Sequence, residues 1–212
     1  MSNKWLVAGL GNPGSKYRIN RHNAGFLFLD YLSLKLKAGN FNYQKALSGQ
    51  KVTARFGSVS AVLLKPDTFM NLSGNSVQGA SSFFKILSEN IIICYDDVDI
   101  PFGTFRIKYK GSAGSHNGLA SVIEHLGPSV IRIRIGVGRD GPRSGSLAGY
   151  VLGDFTGDEL DTLAELFDDM FKAVRMIVSG HLSKAMNRYN RKKKSASVDS
   201  SVGSGKSVTI DG

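Results

Sequence analysis

Residues 5–36, WLVAGLGNPGSKYRINRHNAGFLFLDYLSLKL, hold the three signals that decide the fold. Trp5–Leu10 is a short apolar run, as a buried strand requires. A polar loop follows to about Arg21, and Phe26, Leu29, Leu32 and Leu36 then recur at helical spacing. Strand, loop and helix in that order are the opening unit of an α/β domain. The glycines Gly9, Gly11 and Gly14 also match G-x-G-x-x-G, the spacing of a dinucleotide cradle. That reading fails on its own terms. A cradle needs a helix to start at once, so that its free N–H groups meet the pyrophosphate. Here Pro13 interrupts the motif and SKYRIN follows it without apolar periodicity. Asp30 lies at about the ribose-binding distance but falls inside the predicted helix. The glycines are better read as turn residues.

The same alternation continues downstream. KVTARFG and VSAVLLK are two strands meeting at Gly57-Ser58, a hairpin signal, with Pro66 closing the second. PDTFMNLSGN leads into a helix ending near Leu87. NIIICY is apolar throughout, whereas TFRIKYK and VIRIRIGVG alternate strictly. Between those two strands lie the loop GSAGSHNG and a helix from Leu119 to Leu126. A loop, RDGPRSGSLAG, precedes helices over Asp158–Val178 and His181–Tyr189. The expected fold is a single α/β domain over residues 1–190, a central mixed, mostly parallel twisted sheet with helices on both faces. Residues 191–212, rich in Ser, Gly and Lys, are expected to be a disordered tail.

With 42% hydrophobic and 21% charged residues the composition is that of a soluble globular domain. The formal charge of +10 favours an anionic partner such as nucleic acid. Six of the 27 basic and two of the 17 acidic residues lie from Arg188 onward, so residues 1–187 remain basic by six. The single Cys94 permits no disulfide within the chain, consistent with a reducing compartment. The apolar run near the N-terminus is too short for a secretory signal, and nothing later approaches a membrane span. These points set the expectation of a cytoplasmic protein with no membrane association.

In open α/β sheets ligands gather beyond the carboxyl ends of strands. Asn12, Asn71, Asp96 and the pair His116-Asn117 each follow a predicted strand, and four such loops could converge on one edge. His22 and Asp96 would supply a base and its orienting carboxylate, with water as the nucleophile because no serine sits in a nucleophile elbow. The four histidines lack H-x-x-x-H spacing and there is no cysteine cluster, so no metal is expected; the acidic run DDVDIP is a weak cation signal. Asn12, Asn23, Asn71 and Asn117 offer uncharged donors and acceptors suited to carbonyls and water, although each alone also suits a turn or helix cap.

Four segments in order, LVAGLGNPGSKYRINRHNAG, KPDTFMNLSG, YDDVDIPFG and GSHNGL with RIRIGVG, resemble the bacterial-type peptidyl-tRNA hydrolases from about Leu6 to Arg188. The resemblance implies metal-free, cofactor-free hydrolysis of the ester joining a peptide to the 3′-terminal ribose of tRNA. His22 is implied as the base, Asp96 as its partner, and Asn12 as the residue that distinguishes peptidyl-tRNA from aminoacyl-tRNA. Tyr17, Phe69, Asn71 and Asn117 match substrate-binding positions, with Met70 and His116 in the same cleft. Lys108 and Arg134 match a basic pair that grips the tRNA 5′-phosphate. Peptidyl-tRNA, through its acceptor arm and CCA end, is the implied partner, and the chain is expected to act as a monomer without an obligate protein partner. One departure stands out. The family usually writes G-H-G-G-H-N-G where this chain has SAGSHNG, with Ala113 and Ser115 in the loop. The rival expectation is a non-enzymatic RNA-binding relative of the same fold.

Overall fold

The computed structural model describes residues 4–138 and 146–191. Its seven strands are β1 (Lys4–Gly9), β2 (Asn42–Gln44), β3 (Gly49–Phe56), β4 (Val59–Pro66), β5 (Ile91–Pro101), β6 (Phe105–Tyr109) and β7 (Ile131–Gly138). They form one sheet in the order β2-β3-β4-β1-β5-β7-β6. The central strands β4, β1, β5 and β7 pair in parallel, β3 and β6 run against their neighbours, and β2 turns back again. Five of the seven strands therefore point one way, and the sheet is mixed and mostly parallel as the periodicity predicts.

Both alternating sets of the central strands are apolar because both faces are covered. Trp5, Val7, Leu63, Ile92 and Cys94 pack under α1 (Ala24–Lys35), α5 (Gly157–Val178) and α6 (Leu182–Tyr189). Leu6, Ala8, Leu64, Ile91 and Ile93 pack under α2 (Ser73–Phe84) and α3 (Asn117–Leu126). At β7 and β6 the pattern changes. Ile131, Ile133, Ile135, Phe105 and Ile107 join the first core, but the alternate positions are Arg132, Arg134, Arg106 and Lys108. Arg106 lies opposite Arg134, and Lys108 opposite Arg132, so four cations share one face of the strand pair.

The structure corrects several boundaries. β5 continues through DDVD to Pro101, so Asp96 lies inside a strand and not after one. β6 is antiparallel, with Tyr109 level with Ile131, so its carboxyl end faces away from those of β1 and β5. The chain must climb back through residues 110–116 before His116 can reach Asp96. α2 stops at Phe84, where Lys85 turns left-handed. At the end of RDGPRSGSLAG, and running two residues past it, Leu147–Val151 forms a short helix, α4, capped by Ser146; residues 139–145 lie outside the described residues. The tail beyond residue 191, expected to be disordered, likewise lies outside them. No helix of the described residues is long and apolar enough to cross a membrane.

Candidate active site

His22 sits in the single turn Arg21–Asn23 that delivers the chain into α1. That turn is anchored from both sides. Arg21 donates to both carboxylate oxygens of Glu159 at 2.9 and 2.8 Å and to the Asp154 carbonyl at 2.7 Å. Glu159 in turn closes the capping box with Thr156 at the start of α5. On the other side, Gly25 passes so close to Leu10 and to the Cys94 carbonyl that a Cβ there would overlap main chain. A helix can cross the strand ends at this distance only through glycine.

The imidazole of His22 meets Asp96 through Nδ1, 2.9 Å from Oδ1 and 3.0 Å from Oδ2. Asp96 is only 3% exposed. Burial alone would raise its pKa, but the hydrogen bonds and charge of His116 and His22 outweigh burial and hold the carboxyl well below the usual range. The carboxylate therefore stays an anion, and an anion accepts only. The proton between the pair belongs to His22 Nδ1, which leaves Nε2 with its lone pair for chemistry.

His116 supplies a second bond to the same carboxylate. Its Nδ1 accepts from the Leu119 N–H at 3.1 Å, capping α3, so its own proton lies on Nε2, 3.1 Å from Asp96 Oδ1. His22, Asp96 and His116 are the one group of potential metal ligands that comes together among the described residues, within 4.8 Å. In the structure the three side chains are joined as a hydrogen-bond chain that meets at Asp96 Oδ1.

Asn12 is fixed as firmly. Its backbone N–H donates to Asn23 Oδ1 at 2.8 Å, and Asn23 Nδ2 returns a bond to the Asn12 carbonyl at 3.0 Å. Asn12 Oδ1 accepts from the Met70 N–H at 3.0 Å. The side-chain oxygen is thus committed, and the amide NH2 is the group left to face the cavity. Asn23, singled out in the sequence only as one of several loop amides, is the brace that holds Asn12 in place.

These groups open onto a cavity of about 420 Å3, lined by Asn12, His22, Met70, Asp96, His116, Asn117, Lys108 and Arg134. Eight of the eleven expected site residues are therefore brought together. Tyr17, Phe69 and Asn71 are not on its walls. Tyr17 is half-buried in a separate turn, while Phe69 and Asn71 are exposed on either side of Met70. The structure adds walls that the sequence did not announce. Arg132 and Tyr95 lie beneath Arg134, and Asp97 accepts from Arg134 Nε at 2.7 Å. Leu147, Ala148, Val151 and Leu152 of the α4 segment form an apolar rim. Arg132 and Tyr95 were findable as neighbours of Arg134 and Asp96; α4 carried no periodic signal.

Against this geometry the similarity to known proteins is direct. The peptidyl-tRNA hydrolase family model matches residues 6–197. The chain belongs to the peptidyl-tRNA hydrolase family. It is similar to the peptidyl-tRNA hydrolase of Alkaliphilus metalliredigens, 47% identical over 188 residues covering 88% of this chain and 99% of that one. That of Desulfitobacterium hafniense is 45% identical over 188 residues, with the same shares covered. The crystal structure of peptidyl-tRNA hydrolase from Acinetobacter baumannii matches with a TM-score of 0.83 and 37% identity, covering 91% of this chain and 97% of that one. As a peptidyl-tRNA hydrolase family member, the chain carries its departures at Ala113 and Ser115 on the cavity wall itself.

Proposed function

We infer that this protein hydrolyses the ester between a peptide, or an N-blocked amino acid, and the 3′-terminal ribose of tRNA, freeing the tRNA for translation. The observation that carries the reading is the His22–Asp96 pair, with Nε2 unspent, at the foot of a cavity whose far wall is cationic. His22 Nε2 takes a proton from water as the water oxygen attacks the ester carbonyl, and Asp96 stabilises the resulting imidazolium. When the acyl carbon–oxygen bond breaks, the same proton passes to the ribose oxygen. Every proton is accounted for without a metal or cofactor.

Asn12 supplies discrimination. Its free NH2 donates to an amide carbonyl, which an N-acylated amino acid has next to the ester and a free aminoacyl group lacks. Lys108 and Arg134 face the phosphates of the acceptor arm, and Asn117 and Met70 line the path to the ester. Tyr17, Phe69 and Asn71 contact substrate beyond the cavity walls. The protein works in the cytoplasm, as a monomer and without an obligate partner.

The test is ester cleavage of N-acetylated aminoacyl-tRNA, with unacetylated aminoacyl-tRNA as the counter-substrate. Turnover of the first, near-inertness of the second and indifference to a chelator are expected. A purely RNA-binding protein would bind both and cleave neither.

A further inference from the structure

Arg132 has the largest side chain among the described residues that is fully buried, at 1% exposed. A guanidinium does not give up its proton inside a protein, so this is a permanent cation under the cavity floor. Its hydrogen bonds go to main-chain carbonyls: Nη1 to Ser112 at 2.8 Å, and Nη2 to Gly111 at 2.5 Å and Pro128 at 3.1 Å. Its Nε is buried without a partner. Burying a charge costs free energy unless the contacts it makes repay the loss. Lys108, directly across the strand pair, keeps its amine exposed and pays no such cost.

The three carbonyls explain what the buried cation does. Gly111 and Ser112 belong to the loop that leads into α3, and Pro128 follows its C-cap, so one guanidinium ties together the two segments that flank that helix. The segment entering α3 is conformationally demanding. Lys110, a non-glycine, has φ 68°, followed by Gly111 at 121° and Gly114 at 62°. A left-handed non-glycine residue persists only where its surroundings hold it there. At the end of this segment stands His116, which caps α3 through one ring nitrogen and meets Asp96 through the other.

We propose that Arg132 is a positioning residue for catalysis: by clamping carbonyls of the segments that enter and leave α3, it fixes His116 against Asp96 and so the carboxylate that orients His22. The proposal rests on the hydrolase reading above and extends it to a residue that touches neither substrate nor the reacting atoms. Its planar fork is what the role requires, since the three donors of a lysine ammonium leave from one nitrogen, whereas Nη1 and Nη2 reach carbonyls on both sides.

The experiment compares Arg132→Lys, Arg132→Gln and Arg132→Met with wild type on N-acetylated aminoacyl-tRNA, alongside 15N-histidine NMR of the protein without substrate. All three variants should lose roughly 10- to 100-fold in kcat, as a base pair displaced by about an ångström does. KM should stay within about threefold and its salt dependence should not change. The His116 Nε2–H signal, which the clamp requires to exchange slowly in wild type, should broaden or vanish. Restoration of kcat by Arg132→Lys, or a raised KM with a shallower salt slope, would mean direct phosphate binding and overturn the proposal. An unchanged kcat with an intact His116 signal would do the same. If no variant folds, the wild-type protein decides: amides 113–119 and the His116 ring N–H must be protected from hydrogen exchange, and exchange as fast as in an open loop refutes the clamp. Absence of wild-type turnover would sink the hydrolase reading instead, leaving the His116 signal to report on Arg132 separately.

Discussion

The two halves of the sheet obey the same period-two pattern and use it in opposite ways. Through Trp5–Ala8 of β1 and Ala61–Leu64 of β4 both sets of alternating side chains are apolar, because helices cover both faces. In β6 and β7 one set is apolar and the other is Arg106, Lys108, Arg132 and Arg134. α2 and α3 cover the sheet over β4, β1 and β5, and the face left beside them becomes the cavity. Stability is concentrated where two layers meet, and recognition where one layer is missing. The proposed catalytic pair sits on the seam, since Asp96 lies on β5, between the covered strands and the cationic ones.

Substitutions on the seam, in the covered half and in the open half should fail in different ways. The largest effect belongs to His22→Ala, which should lower kcat/KM by about 10⁴-fold or more while the melting temperature barely moves, as stopped ester-cleavage assays and calorimetry would record. Asp96→Asn should cost about 10²- to 10⁴-fold in kcat, because an amide in that place accepts or donates indifferently and no longer dictates the His22 tautomer. In the covered half, Ile93→Ala empties space at a fully buried position and should cost about 2–5 kcal/mol in denaturant unfolding, with kcat of the folded protein unchanged. In the open half, Lys108→Ala should leave stability within about 0.5 kcal/mol. It should also raise KM and reduce the slope of log KM against log salt by about one. Equal losses of stability at Ile93 and Lys108 would erase the contrast between the halves.

An effect absent at neutral pH is a pH dependence of stability. Burial pushes the Tyr95 phenol up to about 12 in the folded protein, whereas an unfolded chain ionises near its ordinary value of about 10. A raised folded pKa means that the stabilisation is present at lower pH and drains away as pH rises from about 10 to about 12. Denaturation midpoints followed across that range should fall in wild type and fall less steeply in Tyr95→Phe.

How much of this was legible in the chain depends on whether the signal is local. The strands β1, β5 and β7 declare themselves, because an apolar run or strict alternation has few other meanings. β2 does not, since Asn42–Gln44 is three residues long and largely exposed. The antiparallel course of β6 is set by pairing with β7, which comes later in the chain, so order along the sequence suggested a carboxyl end at the wrong pole. In the site, His22 and Asp96 were readable as chemistry and Asn12 as a loop amide. The bonds that commit Asn12 to its orientation come from Asn23, eleven residues on, and from the Met70 main chain, and no spacing rule foretells them. Arg132 misleads for a related reason. Alternation assigns it to the charged, outward set with Arg134, and only the fold of residues 111–112 over it makes it interior.

Gly25 lies three residues beyond His22, and Cys94 two residues before Asp96, and these two backbones touch. The separation of the two backbones that carry His22 and Asp96 is therefore gauged by main chain resting on main chain, with no side chain as a spacer. Such a gauge has no rotamers to relax and cannot be retuned by exchanging one residue for a slightly larger one. Sequence drift can repaint the walls of the cavity freely, but the span between imidazole and carboxylate is inherited with the crossing of the first helix over the sheet.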